Sequence, residues 1–303
     1  MGRNKKAPRG LFCWINNIMK LFRYSRKDAY LFLYTLAMLA LPYYMAIYTE
    51  PSVWWILVGA VQSYLVANLQ NSSLHHQSHW PMFENARLNS YYEILVSMPC
   101  ALANQGWKWA HLLHHKHIND QPVDGVTKDP VSVFKYGRNG EPENFWSYTV
   151  VKGLFDLKFL FKTVEYPNPK LTKFAAQYTR EQWAIKFFFA SILLINPAYC
   201  ASLILVYWAA HAENRAISYG EHWTVLDRRG DTRQDSTSNY SWFVNWLGFG
   251  AGHHQEHHHR PGTHWTQYHE VTPMLHPDRR LIPGLHIMNN PFWLHFKLLF
   301  KKI

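Results

Sequence analysis

Cysteine is scarce: the chain has 3 in 303 residues. Cys13, Cys100 and Cys200 stand alone, with no C-x-x-C pair, which argues against a disulfide framework, a zinc ribbon and rubredoxin-type iron. Charge is scarce too. Asp, Glu, Lys and Arg make up 17% of the residues, the same share as the aromatics at 17%. No repeat of solenoid length and no haem-binding His-Pro-Gly-Gly is present. The first apolar run, LFCWINNIMKLF at 11–22, is interrupted by Asn16, Asn17 and Lys20 and has no small-residue cleavage site, so no cleavable signal is expected. The net charge of +11 is accounted for by solubility and membrane orientation, and it calls for no nucleic-acid partner.

The mean hydropathy of -0.27 is that of a polar average, but it hides long apolar runs. Residues 29–49, AYLFLYTLAMLALPYYMAIYT, carry no charge and are long enough to cross a bilayer. A short turn at 49–52 follows, and SVWWILVGAVQSYLVANL at 52–69 leads back. EQWAIKFFFASILLI at 181–195 runs into Asn196-Pro197, a strong breaker, and AYCASLILVYWAA returns at 198–210. These two arms reach full length if the helices extend back through Arg180 and on to about Tyr219. The rival is one long helix kinked at Pro197.

Arg3, Lys5, Lys6, Arg9, Lys20, Arg23, Arg26 and Lys27 precede the first run, and neither turn contains Lys or Arg. By the positive-inside rule the N-terminus, the 70–180 segment and the C-terminal third face the cytosol. Segment 11–22 reads as an amphipathic interfacial helix that favours anionic lipid, and 119–145 reads as a loop. The expected fold is therefore all-α: a polytopic membrane protein with two transmembrane helical hairpins and a cytosolic His-rich helical cap. It forms one domain, 1–303. A basic interfacial N-terminus occupies 1–28, the first hairpin 29–70, a cytosolic segment 71–180, the second hairpin 181–220 and a second cytosolic segment 221–303. In a bacterium this is an inner-membrane protein.

What the chain has in excess is histidine, 19 residues, most of them in three short stretches. HHQSH at 75–79 offers His75 and His79. HLLHHKH at 111–117 offers His111, His114 and His115. HHQEHHH at 253–259 offers His254, His257 and His258. The spacings are H-x-x-x-H once and H-x-x-H-H twice. Positions three and four apart share a helix face, so each box is expected to aim its imidazoles in one direction. His76, His117, His253 and His259 fall off that face.

Packed together, these rings cannot all be charged, since two like charges about 4 Å apart repel by about 4 kcal/mol at an effective dielectric of 20. Neutral clustered imidazoles suit a divalent metal. Eight ligands are too many for one zinc and fit two metals at four or five nitrogens each. Imidazole alone does not choose among Zn, Cu, Fe and Ni.

Two shorter motifs compete. His253 to His257 spells H-x-x-E-H, an inverted metalloprotease signature with Glu270 as a downstream carboxylate, but it leaves two boxes unexplained. Glu256-x-x-His259 spells the E-x-x-H of soluble di-iron bundles but has no second copy. A metal transporter should carry its ligands within the spans, whereas these lie just beyond them.

Three boxes so spaced around two apolar hairpins resemble the membrane fatty acid desaturase and hydroxylase superfamily, over about residues 29–270. The resemblance implies a non-haem di-iron centre, two Fe ions held almost wholly by histidine. It would use O2 and two electrons to attack a C–H bond of a fatty acid or acyl chain in the membrane. It also implies an additional ligand upstream of the last box in an Arg…Glu-His context. Asn214 to His222 fits that context, which makes His222 the ninth ligand and His211 its rival.

Electrons would come from a separate donor of ferredoxin, rubredoxin or cytochrome type with its reductase. Desaturation is the leading outcome. Hydroxylation, ketolation, acetylenic bond formation and oxidative decarboxylation to a terminal alkene are its alternatives. Asn119, Asp120, Glu221 and Glu256 are candidate acceptors that orient ligand imidazoles. Trp80, Trp107, Trp109, Trp242 and Trp246 are candidates to line an acyl tunnel or to anchor at the interface.

Overall fold

A computed structural model describes residues 21–118, 128–131, 143–160, 164–168, 170–223 and 231–275. Among them the architecture is helical, and the sole strand-like pairing is a single bridge, Phe22 to Phe83. Cys13 and most of the 11–22 segment lie outside the described residues, as do Asn119 and Asp120.

Helix α1, Asp28–Tyr48, has 21 residues. At 1.5 Å per residue it reaches about 32 Å, enough for the hydrocarbon core of a bilayer. It is the single described helix that is both long and apolar enough to span by itself. Helix α2, Trp54–Leu69, is shorter. It runs on without a break through a π-helical turn, Gln70–Leu74, into α3, His75–His79. A π turn inserts extra backbone and so shifts the phase of the helix. The rotation falls immediately before the first box and resets which face its histidines occupy, a step the uninterrupted apolar pattern did not announce.

Helix α4, Ala86–Cys100, starts at Asn85, whose side chain accepts from the main-chain N–H of Arg87 and Leu88. Asn is among the favoured residues for that position. After the left-handed Ala101 (φ 45°), α5, Asn104–His117, carries the second box.

The 181–210 region forms two helices, α6 (Thr172–Ile195) and α7 (Pro197–Trp223). Asn196 between them is extended. Its Oδ1 accepts from Tyr199 N at 3.0 Å, and Pro197 follows at the first helical position, where its missing N–H is harmless. The chain then folds back on itself: the rings of Phe189 and Tyr207 are 5.3 Å apart, whereas 18 residues of continuous helix would separate them by about 27 Å. The single kinked helix is thereby excluded. The Asn196 amide also donates to Ala46 O at 3.2 Å, tying this turn to the end of α1.

Helix α2 packs along α7, closely enough at Gly59 that a Cβ there would lie 3.2 Å from Val206. The core between the helices includes Leu31, Val66, Leu69, Ile185, Phe188 and Leu203, all essentially inaccessible. Polar ties fix the helices in register next to the site. Asn214 donates to Gln70 Oε1 at 2.8 Å, and Gln70 donates to the Cys100 carbonyl at 2.8 Å. Beyond α7 come the short helices α8 (Trp242–Leu247), α9 (His254–His259, the third box) and α10 (Tyr268–Val271).

Candidate metal centre

Nine imidazoles converge from four places: α3, α5, α9 and the end of α7. His75, His79, His111, His115 and His257 form one group, and His114, His222, His254 and His258 form a second. Within each group the candidate ligand atoms all lie within 4.8 Å of one another. The two groups adjoin, with the rings of His115 and His258 4.5 Å apart.

The boxes do not each serve one direction, as their spacing suggested. In α5 the i, i+4 pair His111 and His115 goes to the first group and His114 to the second. In α9 the pair His254 and His258 goes to the second group and His257 to the first. Each H-x-x-H-H therefore bridges both groups, and α5 and α9 exchange roles. A 100° step per residue explains the division: i and i+4 nearly eclipse along the helix, while i+3 falls to the other side of that line.

The Nε2 geometry fits a cation. His257 Nε2 lies 2.9 Å from that of His75, 2.7 Å from that of His115 and 3.4 Å from that of His111. One ring nitrogen either donates one proton or accepts through one lone pair, so hydrogen bonding satisfies at most one of these contacts. Nitrogens sharing a metal at about 2.1 Å lie about 3.0 Å apart at a right angle and about 3.4 Å apart in a tetrahedron. In the second group the Nε2 atoms of His114 and His222 are 3.1 Å apart, and those of His222 and His254 are 3.0 Å apart. One buried Nε2 from each group, of His79 and of His258, has no hydrogen-bond partner among the described residues.

Burial first, and neighbouring imidazoles second, hold His75, His111, His115, His257 and His258 well below the usual histidine range. Burial likewise takes His79 and His254 down to about 3. The rings are thus neutral and available as ligands at physiological pH.

Two supports were not legible in the sequence. Asp129 Oδ1 lies 2.9 Å from His114 Nδ1, both side chains fully buried. Tyr268 OH lies 3.2 Å from His257 Nδ1. Each contact at Nδ1 fixes a ring while leaving Nε2 free to bind. Asp129 sits in what read as an unremarkable turn, Lys128-Asp129-Pro130; a lone acid between turn formers was the available signal.

The anticipated acceptors behave differently. Glu256 accepts from Ser238 Oγ at 2.6 Å and from Tyr240 OH and Thr272 Oγ1 at 2.7 Å each. Burial works against its charge, but these bonds and His253 outweigh it and keep the carboxyl at about 2. It anchors α9 rather than orienting a ligand ring. Glu221 approaches the Nε2 of His254, at 3.5 Å, rather than an Nδ1, and burial alone pushes it well above the usual carboxylate range.

The remaining described histidines lie outside both groups. His211 is buried, away from both groups. His76 Nε2 contacts Phe249 O at 3.0 Å, and His259 Nδ1 contacts Thr232 Oγ1 at 2.9 Å. His117 and His253 belong to neither group. For the inverted protease motif, His253 stands apart from His257's group, the intervening Glu256 is fully engaged and Glu270 is exposed.

A cavity touches both groups. His75 and His111 of the first and His114, His222 and His254 of the second line it, together with apolar Trp107, Val131, Ile217, Val244 and Ala251. Of the candidate tunnel tryptophans only Trp107 is in its wall, stacked on His111 with centroids 5.7 Å apart. Trp80 is buried against His79 and His257. Trp109 lines a separate recess on the far face of α5. Trp242 and Trp246 are 77% and 68% exposed, as interfacial anchors would be.

Comparison with curated proteins and with solved structures finds no match. Residues 51–285 match the family model of fatty acid desaturases, a stretch that takes in all three histidine boxes and His222. The chain belongs to the fatty acid desaturase family and is a desaturase-like oxygenase enzyme.

Proposed function

We propose that the protein is an integral membrane di-iron enzyme that introduces a double bond into a fatty acid or acyl chain. His75, His79, His111, His115 and His257 would hold one iron, and His114, His222, His254 and His258 the other. The observation that carries this reading is the joining of both histidine groups to one largely apolar cavity. With O2, two electrons and two protons, iron so held supplies the oxidising power to take two hydrogens from adjacent methylenes, with release of two waters. No side-chain acid or base could do so.

The chain's own contribution is position. Asp129 and Tyr268 keep the rings of His114 and His257 turned towards the centre. Trp107, Val131 and Ile217 exclude water and hold a methylene chain against the imidazole face, where small displacements decide the outcome. Hydroxylation, ketolation, acetylenic bond formation and decarboxylation to a terminal alkene are the competing outcomes.

In this reading α1 with α2, and α6 with α7, are two membrane hairpins, with the histidine groups on the cytosolic side. Large apolar side chains point outward from these helices, among them Ile56 at 72%, Phe187 at 71% and Leu194 at 87% exposure. Such a surface fits lipid better than water. The division at residues 28, 70, 180 and 220 follows from the same proposal. A separate ferredoxin, rubredoxin or cytochrome supplies the electrons. The test is mass spectrometry of products from a host that expresses the protein and is fed fatty acids of several lengths. An acyl product lacking two hydrogens is expected. A hydroxylated product or a terminal alkene would replace desaturation with the corresponding alternative.

A further inference from the structure

A second cavity, of about 340 Å³, lies beside the one at the histidine groups, and Trp107, Val131 and Ser218 line both. One side of it is charged. Among the described residues around it, Lys158 and Arg215 stand against Asp156, which leaves one positive charge in excess. Arg215 is held in a fork: its Nε and Nη2 donate to the Asp156 carboxylate at 2.6 and 2.7 Å, and its guanidinium lies 5.3 Å from the centre of the Tyr148 ring. The fork uses two of the five N–H donors of an arginine. Lys158 is exposed and has no ion pair among the described residues. His211 lines the same cavity. It is 3% exposed, and its Nε2 has no hydrogen-bond partner among the described residues. A buried polar atom of this kind calls for a partner. The neighbouring amides are already satisfied: Gln182 pairs with the main chain of Val164, and Asn214 donates to Gln70 Oε1.

Helix α7 sets these groups out in order. His211, Arg215, Ser218 and His222 follow one another at spacings of four, three and four, so they share one face of the helix. His211 and Arg215 line the charged cavity, Ser218 lines both cavities, and His222 lines the histidine cavity and belongs to the second group. From Arg215 to His222 the axial distance is about 10 Å at 1.5 Å per residue. Donors with a spare positive charge at one end of this stripe, and the histidine groups at the other, match an anionic amphiphile lying along α7.

We propose that this second cavity binds the carboxylate of a free fatty acid at Lys158, His211 and Arg215, with the chain passing Ser218 and Trp107 to the histidine groups. The inference rests on the reading above of the protein as an acyl-chain oxidase. A fixed carboxylate sets the reacting carbon by its distance from the head. The position oxidised is therefore counted from the carboxyl end, whatever the length of the acid. An ester or thioester presents no carboxylate to these donors and is held less well.

The experiment is displacement of a fluorescent fatty acid from purified protein by palmitic acid, methyl palmitate and palmitoyl-coenzyme A. It compares the wild type with Lys158→Glu, His211→Phe and His211→Gln. In the wild type the acid should bind more tightly than the ester. Lys158 is exposed, so K158E is compatible with the fold; it reverses one charge and should weaken the acid about fivefold or more, with the ester unchanged. H211F should weaken the acid about tenfold, and H211Q, which keeps a donor, should recover most of the loss. Equal affinity for acid and ester in the wild type, equal loss of both in K158E, or a thioester bound as tightly as the acid would overturn the proposal. If H211F fails to fold, K158E decides. Product analysis on acids of different lengths is the second check: a constant position from the carboxyl end is expected, and a constant position from the methyl end refutes the site. Binding is read with or without iron. Protein that binds the acid as described yet oxidises no acyl chain would sink the functional reading alone, a separate outcome.

Discussion

Replacing Asp129 with Ala tests how the second group is held. The carboxylate contacts His114 Nδ1 at 2.9 Å, both side chains 1% exposed, and also accepts from Val131 N at 2.9 Å. With Nδ1–H donating to Asp129, the lone pair of Nε2 is committed to the centre, 3.1 Å from His222 Nε2. Losing such an acceptor costs about 10- to 100-fold in metal affinity, or about 1.4–2.8 kcal/mol at 1.4 kcal/mol per tenfold. That agrees with the roughly 1.5–3 kcal/mol of a hydrogen bond to a charged group. Asp129→Asn keeps a neutral acceptor and should lose less. Chelator competition on purified protein gives the iron affinity of each variant. Wild-type affinity in the Ala variant would show that packing alone orients His114.

Acid should weaken the metal-free fold. Burial lowers the folded-state values of His79 and His254 to about 3, below the unfolded value of 6.5. The unfolded chain therefore binds more protons below pH 6.5; stability is complete above that pH and declines as pH falls towards 3, by about 1.4 kcal/mol per unit for each such ring. Thermal unfolding of metal-free protein across pH 8 to 5 checks this, and a flat profile contradicts it. Gly252→Ala puts a Cβ into the Asn239 carbonyl and within 2.8 Å of Asn245 Oδ1. It should cost about 1–3 kcal/mol and, because α9 serves both groups, reduce iron at both, as iron analysis would show. Trp107→Leu should widen the cavity beside His111 and shift chain-length preference with iron retained, measured by competition between fatty acids. Reporter fusions after Asp28 and at Ile303 should agree, and one at Pro51 should report the opposite compartment; disagreement between the first two refutes the double hairpin.

Much of the candidate site was legible because its histidines are local. His111 and His115, or His254 and His258, are one helical turn apart, and a 3.6-residue period makes such pairs visible in a linear string. His222 was reached through its Arg215 to Glu221 context rather than through periodicity. The division of each box between two groups was not visible, because it depends on how α5 and α9 face one another across the centre. Asp129 and Tyr268 were missed for the same reason: their significance comes from tertiary contact with rings elsewhere in the chain. Asn196-Pro197 announced the α6–α7 turn through local capping chemistry. The π turn at 70–74 gave no such sign, since its residues, QNSSL, continue a helix without a breaker.

The account is tested most directly by iron per chain in the wild type, His79→Ala and His258→Ala. The two substituted residues carry the buried Nε2 atoms that have no hydrogen-bond partner among the described residues, one in each group. The account predicts near two irons in the wild type and a loss confined to a different iron in each variant. One tightly bound zinc in the wild type, with hydrolytic activity and no oxygen uptake, would contradict it.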